Sequence, residues 1–137
     1  MREIKFRAAY QREIYPVYAL RYDEDGLKVL LGNYIASKTV DNKNLELMQY
    51  TGLKDKNGKK IYEGDILSII VIRGENLYEY TTDVIYEDAE FTIKGENTEQ
   101  YDTFLSAYAG DGINLAEAEI IGNIYENPEL LEGENND

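Results

Sequence analysis

Residues 47–65 read LMQYTGLKDKNGKKIYEGD and run directly into ILSIIVI at 66–72. Asp55, Lys56, Asn57 and Gly58 make a turn cluster in which Asn and Gly tolerate the positive φ that tight hairpin turns demand. The chain is therefore predicted to reverse at 55–58, with Leu45 to Tyr50 leading into one arm. On the far side, Ile61 and Tyr62 suit a pleated, half-buried surface. Gly64 lies between Glu63 and Asp65, where a bend or a close backbone approach calls for a residue without Cβ. Ile66 to Ile72 is rich in β-branched residues and too short for a membrane span, which predicts a buried strand.

The flanking sequence continues in the same style. Ile4, Phe6 and Ala8 alternate with Glu3, Lys5 and Arg7, the period of a strand with one wet face. The pattern lapses between Gln11 and Tyr15, and Pro16, which cannot donate to a ladder, marks a strand start or an edge. Val17 to Tyr22 and Leu27 to Leu31 are predicted as a hairpin closed by Asp23, Glu24, Asp25 and Gly26. Residues 33–44 read as a connection or a short edge strand.

Beyond the central block, Gly74, Glu75 and Asn76 punctuate a turn. Tyr78, Tyr80, Thr82, Val84 and Tyr86 then alternate with Glu79, Thr81, Asp83 and Glu87, with Ile85 out of phase, so 77–87 reads as one strand with an acidic outer face. Phe91 and Ile93 mark another short strand ending at Gly95. Tyr101, Phe104, Leu105 and Tyr108 recur at helical spacing, with Thr98 as a cap and Gly110 as a stop, predicting a short helix near 99–108. Glu119 to Tyr125 reads as a closing strand. Asn127 and Pro128 end it, and Pro128 can open a single helical turn through Leu131.

Short strands separated by turn signals predict a mainly β protein, a small antiparallel barrel or sandwich. An SH3-like barrel over about 50–125 is one such form, with N-terminal β-hairpin strands beside it. The expected organisation is a single compact domain over 1–131, with an N-terminal β subdomain at 1–49, a barrel-like subdomain at 50–131, and an acidic flexible tail at 132–137.

A chain of 137 residues, 43% hydrophobic and 12% aromatic, is expected to fold despite its net charge of −13. It contains neither Cys nor His, which removes disulfides, thiolate chemistry, histidine bases, Ser–His and Cys–His dyads and the common zinc sites. The opening Met1 to Lys5 lacks the apolar core of a signal peptide, so the expectation is a soluble cytoplasmic protein. Residues 1–62 hold 12 lysines and arginines against 8 acids, whereas residues 63–137 hold 2 against 19. Such polarisation can orient a partner or a second copy.

Carboxylates are the one plentiful catalytic type. Glu63 and Asp65, two apart, share a face on a strand and could hold magnesium; the plainer reading is two acids flanking a structural glycine. The Asp23–Gly26 stretch lacks the spacing of a calcium loop and reads as a turn. Glu3-Ile4-Lys5 lacks the preceding acid of a nuclease pattern. Tyr78, Tyr80 and Tyr86 would need a basic groove to stack nucleic-acid bases, and their surroundings are acidic. Lys54, Lys56, Lys59 and Lys60 cluster at the turn and could meet phosphate. A solvated hairpin tip explains them equally well, and the acidic remainder repels nucleic acid.

Together with MREIKFRA at 1–8 and IIGNIYENPELLE at 120–132, the 47–65 segment resembles the YopX-like family of small phage and prophage proteins. Where that family usually carries Trp near the end of the first block, Ala9 and Tyr10 stand here. The motif positions are Gly52, Asp55, Asn57, Gly58, Tyr62, Gly64, Asp65, Gly122, Asn123, Tyr125 and Pro128. The resemblance implies a compact, mostly β protein of phage origin acting in the cytoplasm of a bacterial host, and it brings no catalytic, cofactor or metal residues. The expected role is a non-enzymatic protein-binding or accessory module. Its partner would be a host or phage protein, or its own copies in a homo-oligomer, with nucleic acid and membrane disfavoured. The alternatives are an acidic DNA mimic that inhibits a host DNA-binding protein, or a small metal-dependent enzyme or ligand binder using Glu63, Asp65, Asp83 or Glu87.

Overall fold

The computed structural model describes residues 3–33, 35–101, 103–105 and 117–132. The strands that form the hairpin predicted at 55–58 are β5 (Glu46–Lys54) and β6 (Lys60–Tyr62). Preceding them are β1 (Phe6–Tyr10), β2 (Glu13–Asp23), β3 (Gly26–Gly32) and β4 (Ser37–Asp41), with a short 3-10 turn at Asn42–Asn44. After them come β7 (Asp65–Arg73), β8 (Asn76–Asp83), β9 (Ile85–Glu87), β10 (Glu90–Ile93), β11 (Thr103–Phe104), β12 (Ala118–Asn123) and the single-turn helix α1 (Glu129–Glu132). The protein is mainly β with antiparallel sheets, and no helix among the described residues is long and apolar enough to cross a membrane.

Two compact units result, Met1–Tyr50 and Thr51–Asp137. In the first, strands lie in the order β4-β3-β2-β1-β5. One face of that sheet buries Ala8, Val29, Leu31, Val40 and Leu45, with Tyr15, Val17 and Leu47 partly buried against them. Pro16 lies inside β2, opposite Arg7, rather than at a strand start. The β1–β2 turn closes on the pair Tyr10 and Glu13, which makes the opposition of Arg7 and Pro16 a non-hydrogen-bonded one. The missing N–H therefore costs β1 nothing.

The second unit is sandwich-like, and among its described residues no sheet closes into a barrel. The sheets β12-β7-β8 and β9-β10-β11 share a core of Ile61, Leu67, Ile69, Val84, Ile93, Leu105 and Ala118. The stretch 77–87 is not one strand. The chain changes sheet at the buried Val84, whose N–H donates to the Asp65 carbonyl at 3.0 Å and whose carbonyl accepts from Gly64 N at 2.8 Å. That corner explains why Ile85 is out of phase.

The helix predicted near 99–108 is replaced, where described, by an extended segment. Thr103 and Phe104 pair with Ile93 and Thr92, Leu105 is buried in the core, and Thr98 Oγ1 accepts only from Gln100 N, at 3.0 Å. Strand pairing and the pull of Asp83 on the Tyr101 hydroxyl override a helical spacing of aromatics. Tyr108 and Gly110 lie outside the described residues. The helical turn after Pro128 is present as α1.

Candidate functional site

Asp55 is the pivot of the central block. Fully buried, its carboxylate Oδ1 accepts from Asn57 N and Lys59 N, both at 2.9 Å. Oδ2 accepts from Ile120 N, across to β12, at 3.0 Å. The backbone adds Asp55 N to the Lys59 carbonyl (2.8 Å), Gly58 N to the Asp55 carbonyl (3.0 Å) and Lys56 N to the Ala118 carbonyl (2.9 Å). An anionic acceptor taking three amide hydrogens is a strong bond set, so this carboxylate holds the turn in shape and stitches it to the closing strand. Asn57 Nδ2 reaches Glu119 Oε2 at 3.3 Å, and Gly58 supplies the left-handed residue with φ +81°. Lys56 and Lys59 project from the tip.

The remaining motif positions do similar work. Gly52 bends β5 with φ +89° and Gly64 sits at φ +86° between β6 and β7. The buried Asp65 accepts Tyr62 N on Oδ2 at 2.8 Å, and the Gly64 carbonyl accepts Ile124 N at 2.8 Å. Asn123 Oδ1 accepts from Tyr125 N and Glu126 N at 3.0 and 2.9 Å, while its own N–H donates to Asn127 Oδ1 at 3.2 Å. A Cβ on Gly122 would fall 2.6 Å from that same oxygen. Pro128 then leads into α1, its carbonyl accepting Leu131 N at 3.2 Å. Thus the 47–65 and 120–132 blocks meet in space, at Asp55 with Ile120 and at Gly64 with Ile124, and what they build is backbone geometry.

Among the described residues, no three acidic side chains converge as a cation cage would require. A cavity of about 350 Å³ in the first unit is lined by Tyr10, Tyr15, Leu31, Gly32 and Lys38. Its polar rim is internally engaged: the Tyr15 hydroxyl donates to Glu13 Oε2 at 2.7 Å, a bond that raises the phenol above its ordinary pKa. Lys38 Nζ stands 5.1 Å from the Tyr10 ring centroid. In the second unit the Tyr101 hydroxyl donates to Asp83 Oδ1. Burial first, and then that hydrogen bond, push the Tyr101 phenol well above its usual range.

The β7–β8 hairpin differs in kind from all of this. Ile66, Leu67 and Ile69 are fully buried, yet Ile72 at the end of the same apolar run is 59% exposed, so the buried strand predicted for 66–72 emerges from the core before it ends. Leu77, paired directly with Ile72, is 68% exposed, and Tyr78 on the other face is 47% exposed. Glu75 and Glu79 are exposed beside them, and Glu87, Asp88 and Glu90 are exposed on the β9–β10 hairpin, with no Lys or Arg between Arg73 and Lys94. The continuous apolar run at 66–72 concealed this protruding tip. A nine-residue strand followed by a Gly74–Glu75 turn was the signal that it outruns the core.

The family described as YopX protein matches residues 5–132. Among solved structures the chain is similar to protein EF1440 from Enterococcus faecalis, known from its crystal structure. The two are 28% identical, with 96% of this chain and 99% of that one covered and a TM-score of 0.61. No curated protein matches.

Proposed function

The chain belongs to the YopX family, and from that premise we propose that it is a non-enzymatic, phage-encoded accessory module that acts in the bacterial cytoplasm by binding another protein. The observation that carries the proposal is the β7–β8 tip. Ile72 and Leu77 lie side by side in water, Tyr78 covers the opposite face, and every charged residue from 74 to 93 is acidic. Isolated exposed apolar residues are ordinary; an apolar cluster beside acids, with the neighbouring Arg73 engaged by Glu96 at 2.9 Å, is what an interface presents. The family blocks fit the same view, because their buried Asp55, Asp65 and Asn123 are taken up by backbone amides that hold turns.

Immobilised full-length protein and its Ile72→Thr/Leu77→Thr variant, each exposed to bacterial lysate, test this. The expected result is a stoichiometric protein retained by the wild type and lost by the variant. Retention unchanged by the double substitution would overturn the tip as the site. No retained protein, together with a monomer in solution, would overturn the function.

A further inference from the structure

We propose that β8 is an acceptor edge, to which a basic, extended segment of the partner adds as a further strand along Leu77–Glu79. The inference rests on the protein-binding role given above and specifies how the partner is held and what its chemistry is.

The direction of the backbone groups follows from the ladder. Ile70 N donates to the Glu117 carbonyl and Val84 N to the Asp65 carbonyl, and the β7–β8 register runs without a shift from Ile66 opposite Asp83 to Arg73 opposite Asn76. In an antiparallel ladder hydrogen-bonded and open pairs alternate. Odd-numbered residues of β7 therefore bond to β8 and even-numbered ones to β12. On β8 the bonded residues are Asn76, Tyr78, Tyr80 and Thr82. Leu77 and Glu79 point their N–H and C=O away from the sheet, where they meet no partner among the described residues.

Exposed edges of this sort are normally blunted by lysine, proline or a bulge. From Asn76 to Asp83 there is no lysine and no proline, and the unbroken register leaves no bulge. The tip instead carries Glu75 and Glu79, and the cation beside them, Arg73, is engaged by Glu96 at 2.9 Å. Charge then selects the occupant. A second copy pairing through its own β8 would bring Glu75 and Glu79 against their equivalents, and like charges facing each other across strands are destabilising. Leu77 and Glu79 share one face of β8 and Tyr78 and Tyr80 the other, so a strand alternating basic and apolar side chains would lay its cations beside Glu79 and its apolar groups beside Tyr78. Main-chain bonds would supply affinity and the alternate side chains specificity.

The test is titration of the full chain with an alternating lysine–valine peptide, followed by amide NMR and hydrogen exchange. Alternating glutamate–valine and proline-interrupted lysine–valine peptides serve as controls. The expected result is binding of the first peptide alone, slowed exchange at the Leu77 and Glu79 amides, and affinity that falls about tenfold from low to physiological salt. Leu77→Pro should abolish binding, because it removes an outward N–H that β7 does not use. Glu79→Lys, a surface change that leaves the ladder intact, should weaken the basic peptide at least about tenfold and admit the acidic one.

Equal binding of the proline-interrupted peptide, protection mapping to Glu87–Glu90 instead of β8, or self-association through β8 would each overturn strand addition. If these peptides fail while the lysate partner is still lost on Ile72→Thr/Leu77→Thr, the protein-binding role stands and only the mode of engagement falls.

Discussion

Two hairpins of the second unit invite comparison. The β5–β6 turn is built from a buried carboxylate, three amide hydrogens and a neighbouring strand. The β7–β8 turn has only Gly74 at φ +62° and an unbroken ladder behind it. The first carries the residues by which the family is recognised. The second carries exposed Ile72, Leu77 and Tyr78 at its tip, and its one motif position, Asp65, lies at the far end of β7. What identifies the chain is thus concentrated where backbone must be fixed, and the surface best suited to a partner lies where the backbone needs little help.

The largest effect should come from Asp55→Asn. One amide oxygen would remain as acceptor, but the side-chain NH2 would confront a backbone N–H in place of the second oxygen. Losing charge-assisted bonds at a fully buried site should cost about 3 kcal/mol. Urea unfolding should show a lower midpoint with an unchanged slope. A loss below about 1 kcal/mol would erase the contrast between the hairpins.

That contrast also decides what could be read without coordinates. Asp55–Gly58 announces a turn because Asn and Gly have local preferences, and so do Asp23–Gly26 and Gly74–Asn76; each lies where strands reverse. The alternation in 77–87 was visible, but its division at Val84 depends on Gly64 and Asp65, far off in sequence. The aromatic spacing at 101–105 mimics a helix because burying Leu105 and bonding Tyr101 to Asp83 happens to need residues four apart. Local chemistry was legible, and tertiary demand was not. The bond from Asp55 to Ile120 N spans 65 residues, which no spacing rule reaches, and exposure at Ile72 depends on where the core stops.

An intermediate effect comes from alanine at the two turn glycines. Gly58 and Gly74 both hold left-handed φ, and a Cβ on either would meet nothing within 4 Å. The cost of each is then backbone strain alone, about 1 kcal/mol. Gly58→Ala and Gly74→Ala should match within about 0.5 kcal/mol in urea unfolding. A much larger loss at Gly58 would mean that the carboxylate tolerates no adjustment of its turn, which would sharpen the difference between the hairpins.

A smaller effect, confined to alkaline pH, belongs to Tyr101, which ties a later segment to the end of β8. Its phenol is raised above 10.0 by burial and then by the Asp83 hydrogen bond. A raised acid constant in the folded state means that the unfolded chain releases the proton first. The stabilisation is therefore complete below about pH 10 and declines as pH climbs toward the folded value. Tyr101→Phe should flatten that alkaline decline in thermal melts taken between neutral and high pH. An unchanged slope would mean that the hydroxyl does not hold its proton more tightly in the fold.

The smallest effect on stability is expected where the effect on binding is greatest. Ile72 and Leu77 face water across from each other, so little apolar area is withdrawn from solvent at either. Threonine is β-branched and suits a strand at either position while replacing much of the apolar side chain with a hydroxyl. Ile72→Thr/Leu77→Thr should therefore unfold within about 0.5 kcal/mol of the wild type, although it is the change expected to release the partner. Urea unfolding of the double variant beside Asp55→Asn sets the two hairpins against each other directly. A destabilisation of the tip variant approaching that of Asp55→Asn would show that Ile72 and Leu77 serve the fold, and their loss of a partner would then reflect unfolding instead of a missing contact.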